Sequence, residues 1–246
     1  MSLQALIFDV DGTLADTERA GHRVAFNAAF ADAGLSWHWD EELYDELLQI
    51  TGGKERIRHF VAQADPWFMA RPDVTETIAR LHRRKTDHYV RLLGNGRVGL
   101  LPGVESLLRE ARGGGLRLAI ATTTTPDNVT ALLESTLGPG VESWFEVVGA
   151  GDAVAAKKPA PDIYQWVVER LGLEPRQCLA VEDSGVGLTA AVAAGVPTVV
   201  TPSAHTARDD FSAAIARYPD LTAVTVDELR ARHAAAVIHP VLAPPA

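Results

Sequence analysis

Asp9 and Asp11 follow the apolar run Leu6-Ile7-Phe8 and precede Gly12-Thr13. An apolar run that ends in two carboxylates and a glycine reads as a buried strand delivering acids to its carboxyl end, where the backbone turns away. Side chains two apart on an extended chain point the same way, so the two carboxylates would repel each other. A hard divalent cation relieves this, and Mg²⁺ suits a few protein oxygens with water and a substrate phosphate completing its shell. Asp-x-Asp-Gly also occurs in turns and calcium loops. An EF-hand would continue with further ligands and a Glu twelve on, between two helices, whereas here a strand-like run comes first.

Three further sites carry usable chemistry. Thr122, Thr123, Thr124 and Thr125 follow the run Leu116–Ala121. Their hydroxyls and N–H groups, ahead of a helix, make either a phosphate cradle or an N-cap. Lys158 lies in Lys157-Lys158-Pro159-Ala160-Pro161-Asp162, where prolines stiffen the chain and a lysine can offer a point charge to phosphoryl and aspartate; Lys157 reads as a surface lysine. Glu182-Asp183 ends the run Cys178–Val181. Those acids could simply favour the next helix N-terminus, but on a shared sheet edge they would face Asp9 and Asp11.

The elements that must position these groups change texture along the chain. Apolar stripes at helical spacing recur over Phe26-Ala29-Phe30-Ala33, Leu43-Leu47-Ile50, Ile57-Phe60-Val61-Ala64 and Val74-Ile78-Leu81-Tyr89-Leu92, with no strand-like alternation between them. Residues 17–95 are therefore expected to form an all-helical insertion, with Gly94-Asn95-Gly96 as the return link. Beyond it strands and helices alternate: helix Val104–Arg112, strand Leu116–Ala121, helix Asp127–Leu137, strand Phe145–Val148, helix Asp162–Leu171, strand Cys178–Val181, helix Val186–Ala194, strand Thr198–Val200 and helix Asp209–Tyr218. The alternation predicts an α/β fold, a Rossmann-like parallel sheet formed by residues 1–16 and 96–246, with its ligand at the carboxyl edge. Residues from His239 to Ala246 read as a surface tail.

Bulk properties narrow the function. The chain has 246 residues, 47% hydrophobic and 22% charged, with a formal charge of −9. No basic run stands out, which argues against a nucleic-acid or anionic-membrane surface. Cys178 is the single cysteine, so no intrachain disulfide can form, and a reducing, cytoplasmic setting is expected. The start Met1-Ser2-Leu3-Gln4 leads straight into the first strand, without an export signal or membrane span. The protein is expected to be monomeric.

Taken in order, these motifs resemble those of the haloacid dehalogenase-like (HAD) hydrolase superfamily, the Mg²⁺-dependent aspartyl-phosphate phosphatases. Asp9-Val10-Asp11-Gly12-Thr13 matches its first motif, Thr122 its second, Lys158 before Pro159 its third and Glu182-Asp183 its fourth. The likeness spans essentially the whole chain, with the helical insertion where the superfamily carries a small helical cap. It implies Asp9 as nucleophile, Asp11 as general acid/base, and Thr122 and Lys158 as further catalytic groups. It also implies a Mg²⁺ site drawn from Asp9, Asp11, Glu182 and Asp183, in which Asp11 offers its backbone carbonyl and Glu182 acts from behind.

The cap resembles the CbbY group on Thr51-Gly52-Gly53-Lys54-Glu55-Arg56, Ala25–Phe30, Ala150-Gly151-Asp152 and Lys157–Tyr164. The implied substrate is a small phosphorylated sugar, xylulose-1,5-bisphosphate, a misfire product of Rubisco, losing its 1-phosphate. Substrate contacts are expected from Glu18, His22, Thr51, Gly52, Gly53, Lys54, Arg56, Lys85 and Thr123. Thr51-Gly52-Gly53 would let N–H groups approach an anion, and Lys54 and Arg56 add local positive charge. Lys85 interrupts an apolar stripe, where a lysine can snorkel outward, but it matches a cap lysine that relatives use on the distal phosphate. The spacing Glu18-Arg19-Ala20-Gly21-His22 departs from relatives, which place that His one residue nearer the Glu.

Other readings share the core motifs. A β-phosphoglucomutase-like mutase differs in having a basic and an amide residue where Thr125-Pro126 stands here, and a phosphatase for another small phosphate such as phosphoglycolate is a further alternative. A receiver-type signalling domain also gathers acids, a hydroxyl and a lysine, but its phosphorylated Asp ends an inner strand and it carries no helical insertion there.

Overall fold

The computed structural model describes residues 2–96 and 98–238. Strand β1 (Ala5–Phe8) is fully buried, and its neighbours are β2 (Arg117–Ala121) and β4 (Cys178–Glu182). With β3 (Phe145–Gly149), β5 (Thr198–Val200) and β6 (Ala216–Arg217) they form one sheet in the order β3-β2-β1-β4-β5-β6. Every pairing is parallel. The order reverses at β1, and the crevice outside the carboxyl ends there is where such sheets bind ligands.

Alternation along β1 divides the core between two faces. Leu6 and Phe8 join a cluster with Leu107 and Leu108 of α6 (Val104–Gly113), Leu132 of α7 (Pro126–Leu137) and Leu229 of α10 (Val226–Ile238). Ala5 and Ile7 face Ile163 and Val167 of α8 (Asp162–Leu171) and Ala190 and Ala191 of α9 (Gly185–Ala193). A sheet covered on both faces explains why its strands read as continuous apolar runs.

Between β1 and β2 lie a π-helical turn (Glu18–His22) and helices α1 (Arg23–Asp32), α2 (Glu41–Leu47), α3 (Gly53–Ala64), α4 (Pro66–Met69) and α5 (Val74–Gly94). They enclose their own core of Phe26, Phe30, Trp39, Tyr44, Ile57, Val61 and Leu81.

The expected helix Asp209–Tyr218 does not form. Asp209 instead accepts a hydrogen bond from Gly185 N–H and Asp210 caps Ser212 N–H. Ile215 and Tyr218 donate their N–H groups to Thr198 and Val200, which makes β6 a sheet edge. Phe211 is buried beside Leu188 and Val200, so the apolar spacing reports packing on the sheet rather than a helix face. Helix α10, in contrast, carries no strong stripe that would announce it. The tail from His239 to Ala246 lies outside the described residues.

Candidate active site

Asp9 stands one residue past β1, its N–H bonded to Val181 C=O at 3.0 Å. The chain then turns sharply, because Val10 C=O accepts from the N–H groups of Thr13, Leu14 and Ala15. Extended-chain geometry therefore stops at Phe8, and the two carboxylates part. Asp9 Oδ1 meets Lys158 Nζ at 2.7 Å. Asp11 Oδ1 accepts from Thr17 Oγ1 at 2.6 Å and lies 2.8 Å from His22 Nε2.

This corrects the expectation that four acids gather at the edge. Asp9, Glu182 and Asp183 can each bring one oxygen within 4.8 Å of the others, while the Asp11 carboxylate is turned away to Thr17 and His22. Glu182 is completely buried, and its Oε1 accepts from Lys158 Nζ and from Tyr164 OH, both at 2.6 Å. Asp183 is held by the loop after β5, where Thr206 Oγ1 donates to its carbonyl at 2.6 Å. Gly12, at φ +85°, packs so closely that a Cβ there would lie 2.3 Å from Asp183 Oδ2. Only glycine suits both that dihedral and that approach.

The protonation pattern follows from burial and neighbours. Burial pushes Asp9 up to about 8, helped by the negative charges of Glu182 and Asp11 and opposed by Lys158. Burial likewise raises Asp183 well above its ordinary value, with Asp9 and Glu182 adding to it. Burial works against the charged Lys158, but Asp9 and Glu182 outweigh it and raise the lysine. Asp9 and Asp183, both raised, take up protons readily unless a cation offsets their charge, and the all-oxygen donor set of Asp9, Glu182 and Asp183 fits a hard divalent cation. Asp11 behaves oppositely: burial would raise it, yet His22, Thr17 and Lys85 hold it at about 2.

A cavity of about 100 Å³ opens between this edge and the helical insertion. Of the anticipated substrate contacts, Glu18, Thr51, Arg56 and Thr123 line it, together with Thr122. Gly52, Gly53 and Lys54 line an adjacent crevice of about 380 Å³ instead, where Lys54 Nζ meets Asp152 Oδ2 at 2.5 Å and Lys157 Nζ meets Asp152 Oδ1 at 3.0 Å. Thr51 Oγ1 hydrogen-bonds the Lys158 carbonyl, tying the insertion to the sheet edge. Arg56 is buried, donating to the carbonyls of Leu47 and Ile50 and to Tyr44 OH.

His22, expected as a substrate contact, reaches the Asp11 carboxylate despite its displaced spacing and does not line the cavity. Lys85 does not line the cavity. Only 3% exposed, it lies behind His22 with Nζ 2.8 Å from Nδ1 and within 5.0 Å of the Phe26 and Tyr89 ring centres. Helix α5 packs along α1 and turns this position inward, so the lysine neither snorkels nor faces open space. An ammonium has only donors, so Nδ1 of His22 is the acceptor and Nε2–H points at Asp11. Burial lowers Lys85 to about 8, against the attraction of Asp11 and Glu18.

Of the threonine run, Thr125 caps α7 by accepting from Asn128 N–H, while Thr122 and Thr123 line the cavity. Sequence reasoning did not single out Thr17, Tyr44 or Tyr164 as site residues, nor Ser203, His205 and Thr206, which line the same cavity from the loop after β5. No motif marks that loop. Tyr164 sits one turn into α8 after the proline-rich segment, where its position could have been read as facing Glu182.

The fold and this edge define a parallel-sheet α/β protein with a buried acid-and-lysine site under a helical insertion after the first strand, and its relatives give its class as a hydrolase of phosphoric monoesters. Residues 3–195 match the family model of haloacid dehalogenase-like hydrolases. The chain is 54% identical to the plasmid-borne protein CbbY of Cupriavidus necator, over 89% of this chain and 86% of that protein. It is 52% identical to CbbY of Rhodobacter capsulatus, over 93% and 98%. CbbY of Rhodobacter sphaeroides, solved with phosphate and, as a mutant, with xylulose-(1,5)bisphosphate, superimposes with a TM-score of 0.83 at 43% identity, over 90% of this chain and 96% of that one. The chain belongs to the haloacid dehalogenase-like hydrolases and, within them, to the CbbY-type group. Among the described residues, no helix is long and apolar enough to cross a membrane.

Proposed function

We propose that this enzyme removes the 1-phosphate of xylulose-1,5-bisphosphate through an aspartyl-phosphate on Asp9, with Mg²⁺ as cofactor. The observation that carries the reading is the division of labour at one cavity. Among the described residues, Asp9 has one oxygen held by Lys158 and the other without a hydrogen-bond partner; Asp11 is held two residues away; Arg56 is the one basic side chain of the insertion lining the cavity, again among the described residues. A bisphosphate needs an anion contact beyond the reacting group, and the neighbouring relative solved with xylulose-(1,5)bisphosphate is 43% identical.

Asp9 Oδ2 attacks phosphorus as the bond from phosphorus to the sugar oxygen breaks, and the carboxyl group becomes an acyl phosphate. The charge of the incoming phosphate opposes ionisation of Asp11, so Asp11 takes up a proton and passes it to the leaving oxygen. In the second half Asp11 accepts a proton from the water that attacks the acyl phosphate, which frees Asp9 and inorganic phosphate. Lys158 and the Thr122 hydroxyl stabilise the phosphoryl oxygens in flight. Asp9, Asp183 and the backbone carbonyl of Asp11 would hold Mg²⁺, with Glu182 behind them; when bound it neutralises phosphoryl charge and lets the buried acids remain ionised. The insertion, acting as a cap, excludes water around the sugar.

Phosphate release should be measured on xylulose-1,5-bisphosphate, ribulose-1,5-bisphosphate, fructose-1,6-bisphosphate, phosphoglycolate and glucose 1-phosphate. The expected result is the highest kcat/KM on the first. A higher value on phosphoglycolate would remove the bisphosphate reading, and conversion of glucose 1-phosphate to the 6-phosphate would make the enzyme a mutase.

A further inference from the structure

We propose that the π turn Glu18–His22, with Gly21 against α5, positions the acid/base carboxylate Asp11, and that Gly21 is a positioning residue for proton transfer. The proposal rests on the reading of Asp11 given above.

The N-cap of the turn, Thr17, and its last residue, His22, touch the same oxygen, Asp11 Oδ1, at 2.6 and 2.8 Å. They are five apart. At 3.6 residues per α-helical turn, five steps leave a side chain about 140° round from where it began, so an α-helix would aim the two at different faces. Here His22 N–H bonds to Thr17 C=O at 2.7 Å and Arg23 N–H to Glu18 C=O. These i→i+5 bonds set His22 one turn above Thr17, on its side of the helix, before α1 resumes ordinary winding. The residue that widens the turn lies outward, where Ala20 is exposed.

The inner side of the turn has no room for a side chain. A Cβ on Gly21 would lie 2.8 Å from Tyr89 Cε2, 3.3 Å from Cδ2 and 3.4 Å from Val98 Cγ2. The Tyr89 ring is buried and rests on the His22 imidazole with centroids 4.1 Å apart. A methyl group at 21 must therefore lift the turn or push the ring, and either movement displaces His22 from Asp11. Displacements of about 1 Å at a reacting constellation are enough to cost rate on the order of a hundredfold.

The test follows first-turnover phosphoryl transfer from two substrates. From xylulose-1,5-bisphosphate the leaving group is the C1 alkoxide of xylulose 5-phosphate, which needs a proton, whereas from p-nitrophenyl phosphate it is a stabilised p-nitrophenolate. Gly21→Ala should slow the first turnover of the sugar at least about tenfold, within the range a positioned acid supplies, with KM little altered and a distinctly smaller loss on the aryl ester. Deleting Ala20 leaves four steps between Thr17 and the histidine, which an α turn also places on one face, so its rate on the sugar should stay within about threefold of the parent. Inserting an alanine after Ala20 makes six steps and should reproduce the substrate-selective loss. Far-ultraviolet circular dichroism and Tm report folding, and if Gly21→Ala does not fold the deletion and insertion decide. Equal losses on both substrates in Gly21→Ala, or a deletion as damaging as the insertion, would overturn the proposal. Asp11→Asn separates the two claims. If it shows no difference between sugar and aryl substrates, the reading of Asp11 fails and the proposal falls with it; if it does and Gly21→Ala does not, the proposal alone falls.

Discussion

The sheet edge and the helical insertion present charge to one cavity by different means. At the edge, Asp9, Glu182 and Asp183 lie at the ends of adjacent strands whose register is locked, with Phe8 opposite Val181. Their positions follow from ladder hydrogen bonds and owe little to any one side chain. In the insertion, direction depends on helix phase and on what each helix packs against. Arg56 of α3 lines the cavity, Lys54 two residues earlier reaches a crevice and pairs with Asp152, and Lys85 of α5 lies behind His22. Rigid strand ends suit a reaction common to many phosphate esters, and a separately packed helical layer suits the choice among them.

The largest effect should come from the edge. Asp9→Asn replaces the nucleophile with an amide, and turnover on any phosphate ester should fall by more than about 10⁴-fold, the scale of losing a nucleophile in other hydrolases. Circular dichroism should show the fold intact. Substantial residual turnover in the folded variant would transfer the nucleophile's role elsewhere and break the comparison on its first side.

Metal removal tests the same side through stability. Chelation should stop turnover, and Mg²⁺ added to chelated protein should raise Tm, by up to about 2.7 kcal/mol of stabilisation at a hundred times its Kd. The pH dependence has a definite sign. Burial, with Glu182 and Asp11, raises Asp9 from 3.8 to about 8, so between those values the metal-free fold binds more protons than the unfolded chain. Its contribution is present below about pH 4 and lost as pH rises toward 8. Metal-free protein should therefore lose Tm over that interval, and saturating Mg²⁺ should flatten the loss. An identical pH profile with and without Mg²⁺ would mean that these acids are not the cation site.

The same contrast explains what was legible beforehand. Asp9, Thr122, Glu182 and Asp183 could be placed from sequence because an apolar run followed by a turn defines both the strand and where it ends, whereas Lys158, in a loop, is placed only by its proline-rich surroundings and its likeness to the third motif. The five strands β1 to β5 needed no more than that, whereas β6 lies inside the segment whose spacing predicts a helix. Lys85 could not be placed, because its stripe is consistent with facing either the cavity or α1, and the packing of α5 along α1 decides. His22 was uncertain for a different reason: spacing is read assuming one kind of helical turn, and a π turn absorbs the additional residue. The segment 209–218 failed because Phe211, Ala214 and Tyr218 have helical spacing while the segment's backbone is bonded to β5 at Ile215 and Tyr218 and capped by the Asp210 side chain at Ser212.

A smaller effect should come from Arg56. Arg56→Ala removes a charge-assisted contact worth about 1.5–3 kcal/mol if it meets the distal phosphate, or about ten- to a hundredfold in kcat/KM on xylulose-1,5-bisphosphate. The loss on p-nitrophenyl phosphate should be much smaller. Equal losses would assign Arg56 to holding Tyr44 and the α2–α3 connection together, which its bonds to Leu47, Ile50 and Tyr44 also permit.

The smallest effect sharpens the comparison most, because it asks whether Lys54 serves closure or substrate. Its ammonium meets Asp152, and the two side chains are 35% and 65% exposed. An exposed pair of this kind contributes about 0.2–1 kcal/mol, a few-fold at most in any equilibrium it controls. Lys54 and Lys157 both hold Asp152 at about 2 through their hydrogen bonds, so the Asp152 carboxylate competes for Lys54 with any anion that enters this crevice. If the pair only latches the insertion onto the sheet, Lys54→Ala and Asp152→Ala should raise KM by similar small factors on every substrate, and the double variant should lose no more than either single one. If Lys54 is released to the distal phosphate, the signs separate. Lys54→Ala should raise KM for xylulose-1,5-bisphosphate, while Asp152→Ala, by removing the competing carboxylate, should lower it. Steady-state KM for the two single variants and the double variant on the bisphosphate and on p-nitrophenyl phosphate distinguishes these outcomes, and we expect opposite signs on the bisphosphate alone.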